Sequence, residues 1–392
     1  MNSLFPLILF LWLLPVTQIA AQSRVGRAPE LRKLDPSTIS FAFEARIPDL
    51  ERPFIDPAPE DRNDGLAVGQ LGIDGGKRNP LLDLANRIAE GAYGNIDSLL
   101  LHFRGKLVFE SYFRRGRVNY PHYQMSITKS YTAMAIGRAI QLGYLTMGDL
   151  NRPVLFFLED VDRSRLVAGA GRITLAEVLN MRSGIRLSPQ AANSIQRTWD
   201  NLRGQRQVQA YLQFSEPIPN SPREFRYQST DPSIAMQVLE VVVPGSARDF
   251  ISSEVLGQLG ISSFGWQSDL SGLPKAAAGS SLRSRDMVKW GLVLLAEGRW
   301  KGEQLIPVRF IRRAISRLHT NQQQHSYGYF WWRHNVESGD RKFDCLSGRG
   351  AGGQFILVFP GLELVAVITA HEKGLGPILK TLPRRILPAF HD

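Results

Sequence analysis

The chain has one cysteine, Cys345, in 392 residues, so no internal disulfide can form. A lone cysteine among strand-like residues reads as a small core filler. There is no His-Glu-x-x-His pattern and the 7 histidines are scattered, so no metal site is expected. The Gly-x-Ser-x-Gly elbow of α/β-hydrolases is also missing. Acidic residues are in deficit, 36 against 47 Lys and Arg, for a formal charge of +11. The basic residues are dispersed, with short runs such as Arg114-Arg115-Gly116-Arg117, and none interleaves with aromatics. That argues against a nucleic-acid partner and reads as a solvated surface, with association to an anionic envelope as the alternative.

Long apolar runs are absent except at the start. Leu4 to Ile19 is nearly all apolar and is followed by Ala20 and Ala21, the layout of a signal peptide over residues 1–21. No Lys or Arg precedes this run, so an uncleaved membrane anchor is the alternative. The signal-peptide reading predicts a periplasmic or secreted protein, and the alternative a membrane-anchored one.

Residues 22–85 are expected to form an extended lead-in, because Pro48, Pro53, Pro57 and Pro59 forbid long regular elements. A main domain is expected over 86–392. Ile96 to Phe113 reads as a hairpin turning at Arg104-Gly105-Lys106. Ser126 to Leu142 reads as a helix stopped by Gly143. From about 146 to 275 the pattern is helical with many loops, and Thr174 with Glu177 has capping-box spacing. Arg285 to Glu297 reads as a further helix. Strand-like runs follow at Tyr327–Arg333, Phe355–Phe359 and Leu362–Thr369, then a closing helix from about Pro377 to Ile386. Strands at both ends with helices between them predict a mixed α+β fold: an antiparallel sheet flanked by helices, with an inserted, mainly helical lobe.

Three stretches carry candidate chemistry. In Met125-Ser126-Ile127-Thr128-Lys129, serine and lysine three apart at a helix start share one face. A serine hydroxyl is a poor nucleophile until a base takes its proton, and lysine serves as that base only when burial or nearby positive charge makes it partly neutral. The second stretch is Tyr227-Gln228-Ser229-Thr230-Asp231, in which a phenol beside an ammonium can shuttle a proton. The third is Ser347-Gly348-Arg349-Gly350-Ala351-Gly352-Gly353-Gln354, just before a strand. Its glycines allow close backbone approach and exposed N–H groups of the kind that hold an oxyanion.

Ser-x-x-Lys, then Tyr-x-Ser, then a Gly-rich stretch before a strand resembles the serine β-lactamase and penicillin-recognising superfamily. The similarity is greatest to its class C-like branch of esterases, 6-aminohexanoate-dimer hydrolases and D-aminopeptidases. It covers roughly residues 90 to 390 and includes Leu179-Asn180-Met181-Arg182-Ser183-Gly184 and Tyr327-Gly328-Tyr329-Phe330-Trp331-Trp332. The resemblance implies a β-lactamase/transpeptidase-like fold and a cofactor-free serine hydrolase acting on a small or peptide-like ester or amide. It makes Ser126 the acylated serine, Lys129 its activator, Tyr227 the proton shuttle, and the backbone N–H groups of Ser126 and Ala351 the oxyanion hole. Ser229 falls where β-lactamases have Asn, and Arg349-Gly350-Ala351 where they have Thr-Gly-Ser. Gly348 replaces their lysine of the third motif, with Arg349 as the substitute charge. These departures argue against efficient β-lactam hydrolysis. Tyr123 and Trp331 are expected as pocket walls. The competing reading is a non-catalytic or penicillin-binding envelope protein of the same fold.

Overall fold

The computed structural model describes residues 26–197, 201–317, 319–320, 325–374 and 376–391. The expected signal peptide lies outside the described residues. No helix among the described residues is long and apolar enough to cross a membrane.

The strands, in chain order, are β1 (Phe54–Asp56), β2 (Ile96–Phe103), β3 (Lys106–Tyr112), β4 (His122–Tyr123), β5 (Phe264–Trp266), β6 (Ser280–Leu282), β7 (Arg299–Trp300) and β8 (Glu303–Gln304). They continue with β9 (His319–Thr320), β10 (Ser326–Gly328), β11 (Trp331–Ser338), β12 (Arg341–Gly350), β13 (Gln354–Phe359) and β14 (Leu364–Ala370). Nine of them form one sheet in the order β1-β3-β2-β14-β13-β12-β11-β10-β9, with every pairing antiparallel. The two chain ends therefore build one sheet, closed where β14 from the C-terminal part pairs with β2.

The helices are α1 (Phe41–Glu44), α2 (Arg78–Ala89), α3 (Ile127–Gln141), α4 (Leu175–Leu179), α5 (Pro189–Arg197), α6 (Arg206–Phe214), α7 (Thr230–Val242), α8 (Ala247–Phe250), α9 (Ser284–Leu295), α10 (Val308–Ala314) and α11 (Gly376–Ile386). Helices cover both faces of the sheet, which explains why its central strands are continuously apolar rather than alternating with polar residues. Side chains on a strand alternate between faces. Leu100, Ile356, Val358, Val365 and Val367 enter one core with Met134 of α3 and Trp290 of α9. Leu99, Leu101, Phe355, Leu357 and Ile368 enter the other with Leu81 of α2 and Leu382 of α11.

The mixed α+β fold with its antiparallel sheet and inserted helical region is the architecture observed, and three details differ from expectation. The lead-in is not wholly extended: it contributes edge strand β1 and helix α2, the helix setting Leu81, Leu84 and Ile88 onto the sheet. The Tyr327–Arg333 run is a hairpin rather than one strand, because Tyr329 and Phe330 take positive φ of 37° and 66° between β10 and β11. The β2–β3 turn is two residues, Arg104 and Gly105, at φ 44° and 86°, and Lys106 already belongs to β3. Positive φ at both central positions matches the right-handed strand twist. Cys345 is fully buried in β12, and burial pushes its thiol up to about 12.

Candidate active site

Ser126 sits at the N-cap of α3, directly after Met125, whose φ of +48° is unusual for a residue with a side chain. This kink ends the extended segment of β4 and starts the helix at Ser126. Most of α3 is buried among the core helices, so its first turn has little room to move. One turn on, Lys129 is 3% exposed. Its Nζ lies 2.9 Å from Ser126 Oγ and donates to the Ala277 carbonyl at 2.7 Å. No carboxylate pairs with it among the described residues. Burial, and secondarily the charge of Lys275, depress its pKa to about 7. Near neutrality a large fraction of Lys129 therefore carries a lone pair beside the hydroxyl.

Tyr227 precedes α7 and reaches the same place. Lys129 Nζ stands 4.9 Å from the centre of its ring. The ring packs against Trp332 and Tyr327 at 5.7 and 6.1 Å between centroids. Tyr227 keeps 41% of its surface exposed. Crowding around its hydroxyl nevertheless raises its pKa, with Ser126 and Arg349 pulling back the other way. The lysine is thus easily neutral and the phenol stays protonated. Groups whose pKa values are driven apart in this way suit opposite roles in proton transfer.

The end of β12 runs along the start of α3. A Cβ at position 350 would lie 2.3 Å from the Gln124 carbonyl oxygen, and one at 348 would lie 3.3 Å from the Ile127 side chain. Only glycine permits such an approach at 350. The end of β12 thus meets the backbone two residues before Ser126. Neither the Ser126 nor the Ala351 amide donates a backbone bond among the described residues. Arg349 is 6% exposed. It donates to Ser347 Oγ at 2.9 Å and contacts Nδ1 of His334 and His325 at 2.8 and 3.2 Å. It lies 4.9 Å from the centre of the Trp332 ring. Burial lowers its pKa to about 10. Burial and the Arg349 charge lower His325 and His334 to about 4 and about 3, so both rings are neutral acceptors.

The other expected site residues fall as follows. Ser229 stands at the N-cap position of α7 without a side-chain cap bond and is exposed. Tyr123 is 7% exposed, and its hydroxyl donates to the Ala278 carbonyl at 3.0 Å, in the segment that also holds Lys129. Trp331 is not a pocket wall: it is 1% exposed, part of the core that includes Ile127. Its neighbour Trp332 is the tryptophan that meets Tyr227 and Arg349. In this hairpin a shift of one residue exchanges faces, and the paired Trp residues gave no means of choosing.

Two supporting groups had no signal in the sequence. Asp231 is fully buried and accepts from Ser183 Oγ at 2.7 Å and Gln228 Nε2 at 2.6 Å. It ties the Tyr227 stretch to the Met181–Gly184 stretch, and burial raises its pKa to about 6. Glu44 of α1 bonds His122 Nδ1 at 2.9 Å and accepts from the Tyr123 amide at 2.7 Å, so the lead-in fastens the strand before the nucleophile position. Glu44, Asp97 and His122 bring ligand-type atoms within 4.8 Å of one another, where the sequence suggested no metal cluster. Both Glu44 oxygens are already engaged by His122 and Tyr123, and Asp97 accepts from the Arg115 amide and pairs with His371. These bonds fit a fastening network.

The sheet with its helical insertion, and a Ser-x-x-Lys pair at a helix start facing a Gly-rich strand end, define the class: the serine β-lactamase and penicillin-recognising superfamily. A family model described as Beta-lactamase matches residues 101–389, and the chain belongs to the β-lactamase family. Among solved structures it is similar to a Bacillus anthracis protein provisionally assigned as a 6-aminohexanoate-dimer hydrolase, at 18% identity and TM-score 0.63, covering 86% of this chain and 87% of that one. It is also similar to a class C β-lactamase solved with cefoxitin, at 15% identity and TM-score 0.61, covering 79% and 98%. A third is a D-stereospecific amidohydrolase from Streptomyces, at 16% identity and TM-score 0.56, covering 78% and 96%. At these identities the likeness concerns the fold. No curated protein matches the chain by sequence.

Proposed function

We propose that the chain is a serine hydrolase that cleaves an ester or amide bond through an acyl-enzyme. The observation that carries this reading is the 2.9 Å contact between Lys129 Nζ and Ser126 Oγ at a lysine depressed to about 7 and lacking a carboxylate among the described residues. In this mechanism Ser126 Oγ bonds to the carbonyl carbon as its proton passes to neutral Lys129. The Ser126 and Ala351 amides hold the oxyanion. Collapse breaks the carbonyl bond to the alcohol or amine, which leaves with a proton from Tyr227, and Tyr227 is reprotonated from Lys129. Water then adds to the acyl carbon, giving its proton to Lys129, and the bond to Ser126 Oγ breaks to release the acid as Oγ takes that proton back from Lys129.

The substrate side is argued from what differs from a β-lactamase. Gly348 stands where the third-motif lysine would be and Ser229 where the asparagine would be, which favours linear esters and amides over β-lactams. The named hydrolase and amidohydrolase neighbours support the same direction. We place the protein in the periplasm or outside the cell, on the strength of residues 1–21, and its positive charge favours association with an anionic envelope.

A fluorophosphonate probe tests the nucleophile. The wild-type protein is expected to label at Ser126 and Ser126→Ala is not. Short-chain p-nitrophenyl esters, linear amides and a chromogenic cephalosporin then rank the substrates. Absence of labelling with full folding overturns the reading in favour of a non-catalytic binding protein, whereas a long-lived penicillin adduct by mass spectrometry favours a transpeptidase.

A further inference from the structure

A cavity of about 550 Å³ is lined by Leu187, Ala192, Ile195, Tyr211, Leu270 and Lys275, among others. It shares two segments with the candidate site. Thr230 in its wall directly follows Ser229 in the Tyr227 stretch, and Lys275 lies two residues before Ala277, the carbonyl that holds Lys129. The two lysines are near enough for the charge of one to be felt by the other. The Lys275 backbone is pinned: its N–H donates to the Gln267 carbonyl at 2.8 Å, and its carbonyl accepts from Trp266 Nε1 at 3.3 Å. Its ammonium has no carboxylate within salt-bridge range among the described residues, which include the partners of every other lysine or arginine ion pair in this region. The one acid in the cavity wall, Asp269, is turned to its own loop, where Oδ1 accepts from the Ser271 amide at 2.9 Å and the Ser271 hydroxyl at 2.6 Å. The cavity thus combines an apolar part, Leu187, Ala192, Ile195 and Leu270, with the polar Gln196, Thr230 and Ser268 and one cation that no carboxylate pairs among the described residues.

We propose that this cavity is the substrate's binding subsite and that it takes an aliphatic chain ending in a carboxylate, which pairs with Lys275. The proposal deepens the acyl-transfer reading and rests on it for the position of the scissile bond. The apolar part of the wall accommodates methylene groups, and a half-buried ammonium without a partner gains most from an anion. A phosphate would also satisfy the charge, but a single lysine provides only one positive charge for a doubly charged group. A carboxylate needs only one.

The test compares two esters that differ only in charge: p-nitrophenyl pentanoate and the mono-p-nitrophenyl ester of glutaric acid. The wild-type protein is expected to prefer the acid-bearing ester in kcat/KM by roughly ten- to a hundredfold, the worth of a charge-assisted hydrogen bond. Lys275→Met is expected to remove the preference and Lys275→Glu to invert it, in proteins with wild-type circular dichroism. The ratio of the two esters is the readout, because any effect of Lys275 on Lys129 acts on both alike. Calorimetric titration of Ser126→Ala with glutarate monoamide supplies a second measurement, in which Lys275→Met is expected to abolish binding.

A wild-type protein that labels with fluorophosphonate but hydrolyses both esters equally overturns this proposal and leaves the serine hydrolase standing. A protein that binds glutarate monoamide through Lys275 yet never labels retains the subsite and sinks the acyl-transfer reading. Glutarate monoamide binding that is absent, or unchanged by Lys275→Met, overturns the subsite.

Discussion

Two sets of buried cations contrast, Arg285 and Lys289 on the scaffold and Lys129 and Arg349 at the candidate site, while Arg117 is buried against backbone carbonyls alone. On the scaffold, Arg285 is held by Asp64 at 2.6 Å and Glu110 at 2.7 Å, with its side chain 2% exposed. Lys289, wholly buried, pairs with Asp286 at 2.8 Å, and Asp286 also holds Arg283 at 2.7 Å. At the site, Lys129 has a hydroxyl and a carbonyl, and Arg349 has a hydroxyl and two neutral imidazoles. The consequence is opposite in sign. Arg285 is raised further above its ordinary value by its carboxylates, whereas burial without such partners takes Lys129 down to about 7 and Arg349 down to about 10. In the proposed mechanism a carboxylate beside Lys129 would stabilise the fold and abolish the base, so the absence of one among the described residues is what that reading turns on.

The largest test of this contrast removes the site pair. Ser126→Ala and Lys129→Met should each lower ester hydrolysis by about 10³-fold or more, the usual scale for a nucleophile or its base. Lys129→Met should leave the melting temperature unchanged or higher, since an uncompensated buried amine is lost. The scaffold should respond in the reverse way. Asp286→Asn leaves Lys289 buried without its carboxylate and should lower unfolding stability by about 3–5 kcal/mol in urea titrations, with the folded fraction still labelling at Ser126. A stability loss from Lys129→Met as large as that from Asp286→Asn would erase the distinction.

Smaller effects sharpen it. The pH profile of kcat/KM should rise through an inflection near the Lys129 value of about 7, because only the neutral amine accepts the serine proton. Lys275 helps keep that value low, so Lys275→Met should raise it. The inflection then moves to higher pH, by a fraction of a unit on the order expected of a screened charge. An unchanged or downward inflection would show that Lys275 does not act on Lys129.

Much of the site was legible because local spacing carries it. Residues 126 and 129 share a helical face whatever surrounds them, and the kinked Met125 places the serine at the helix start. The Arg104-Gly105 turn and the continuous apolar runs of β2, β13 and β14 are likewise short-range properties. The misplaced Trp331 shows the limit: two adjacent tryptophans differ only in which face their register selects, and that register depends on β12 and β10.

Chain-local geometry and periodicity therefore settled the main helices and strands of the larger domain and which residue types stand three apart, since those depend on backbone repeat, but not β1 and α2 of the lead-in or the β10–β11 hairpin. Only the folded molecule decided that β12 presses against α3 at Gly350, that the lead-in reaches back through Glu44 to Tyr123, and that Lys275 lies near Lys129. The physical reason is that a group's pKa and reactivity arise from burial and from charges brought together across more than a hundred residues of chain, quantities that no local pattern of amino acids encodes.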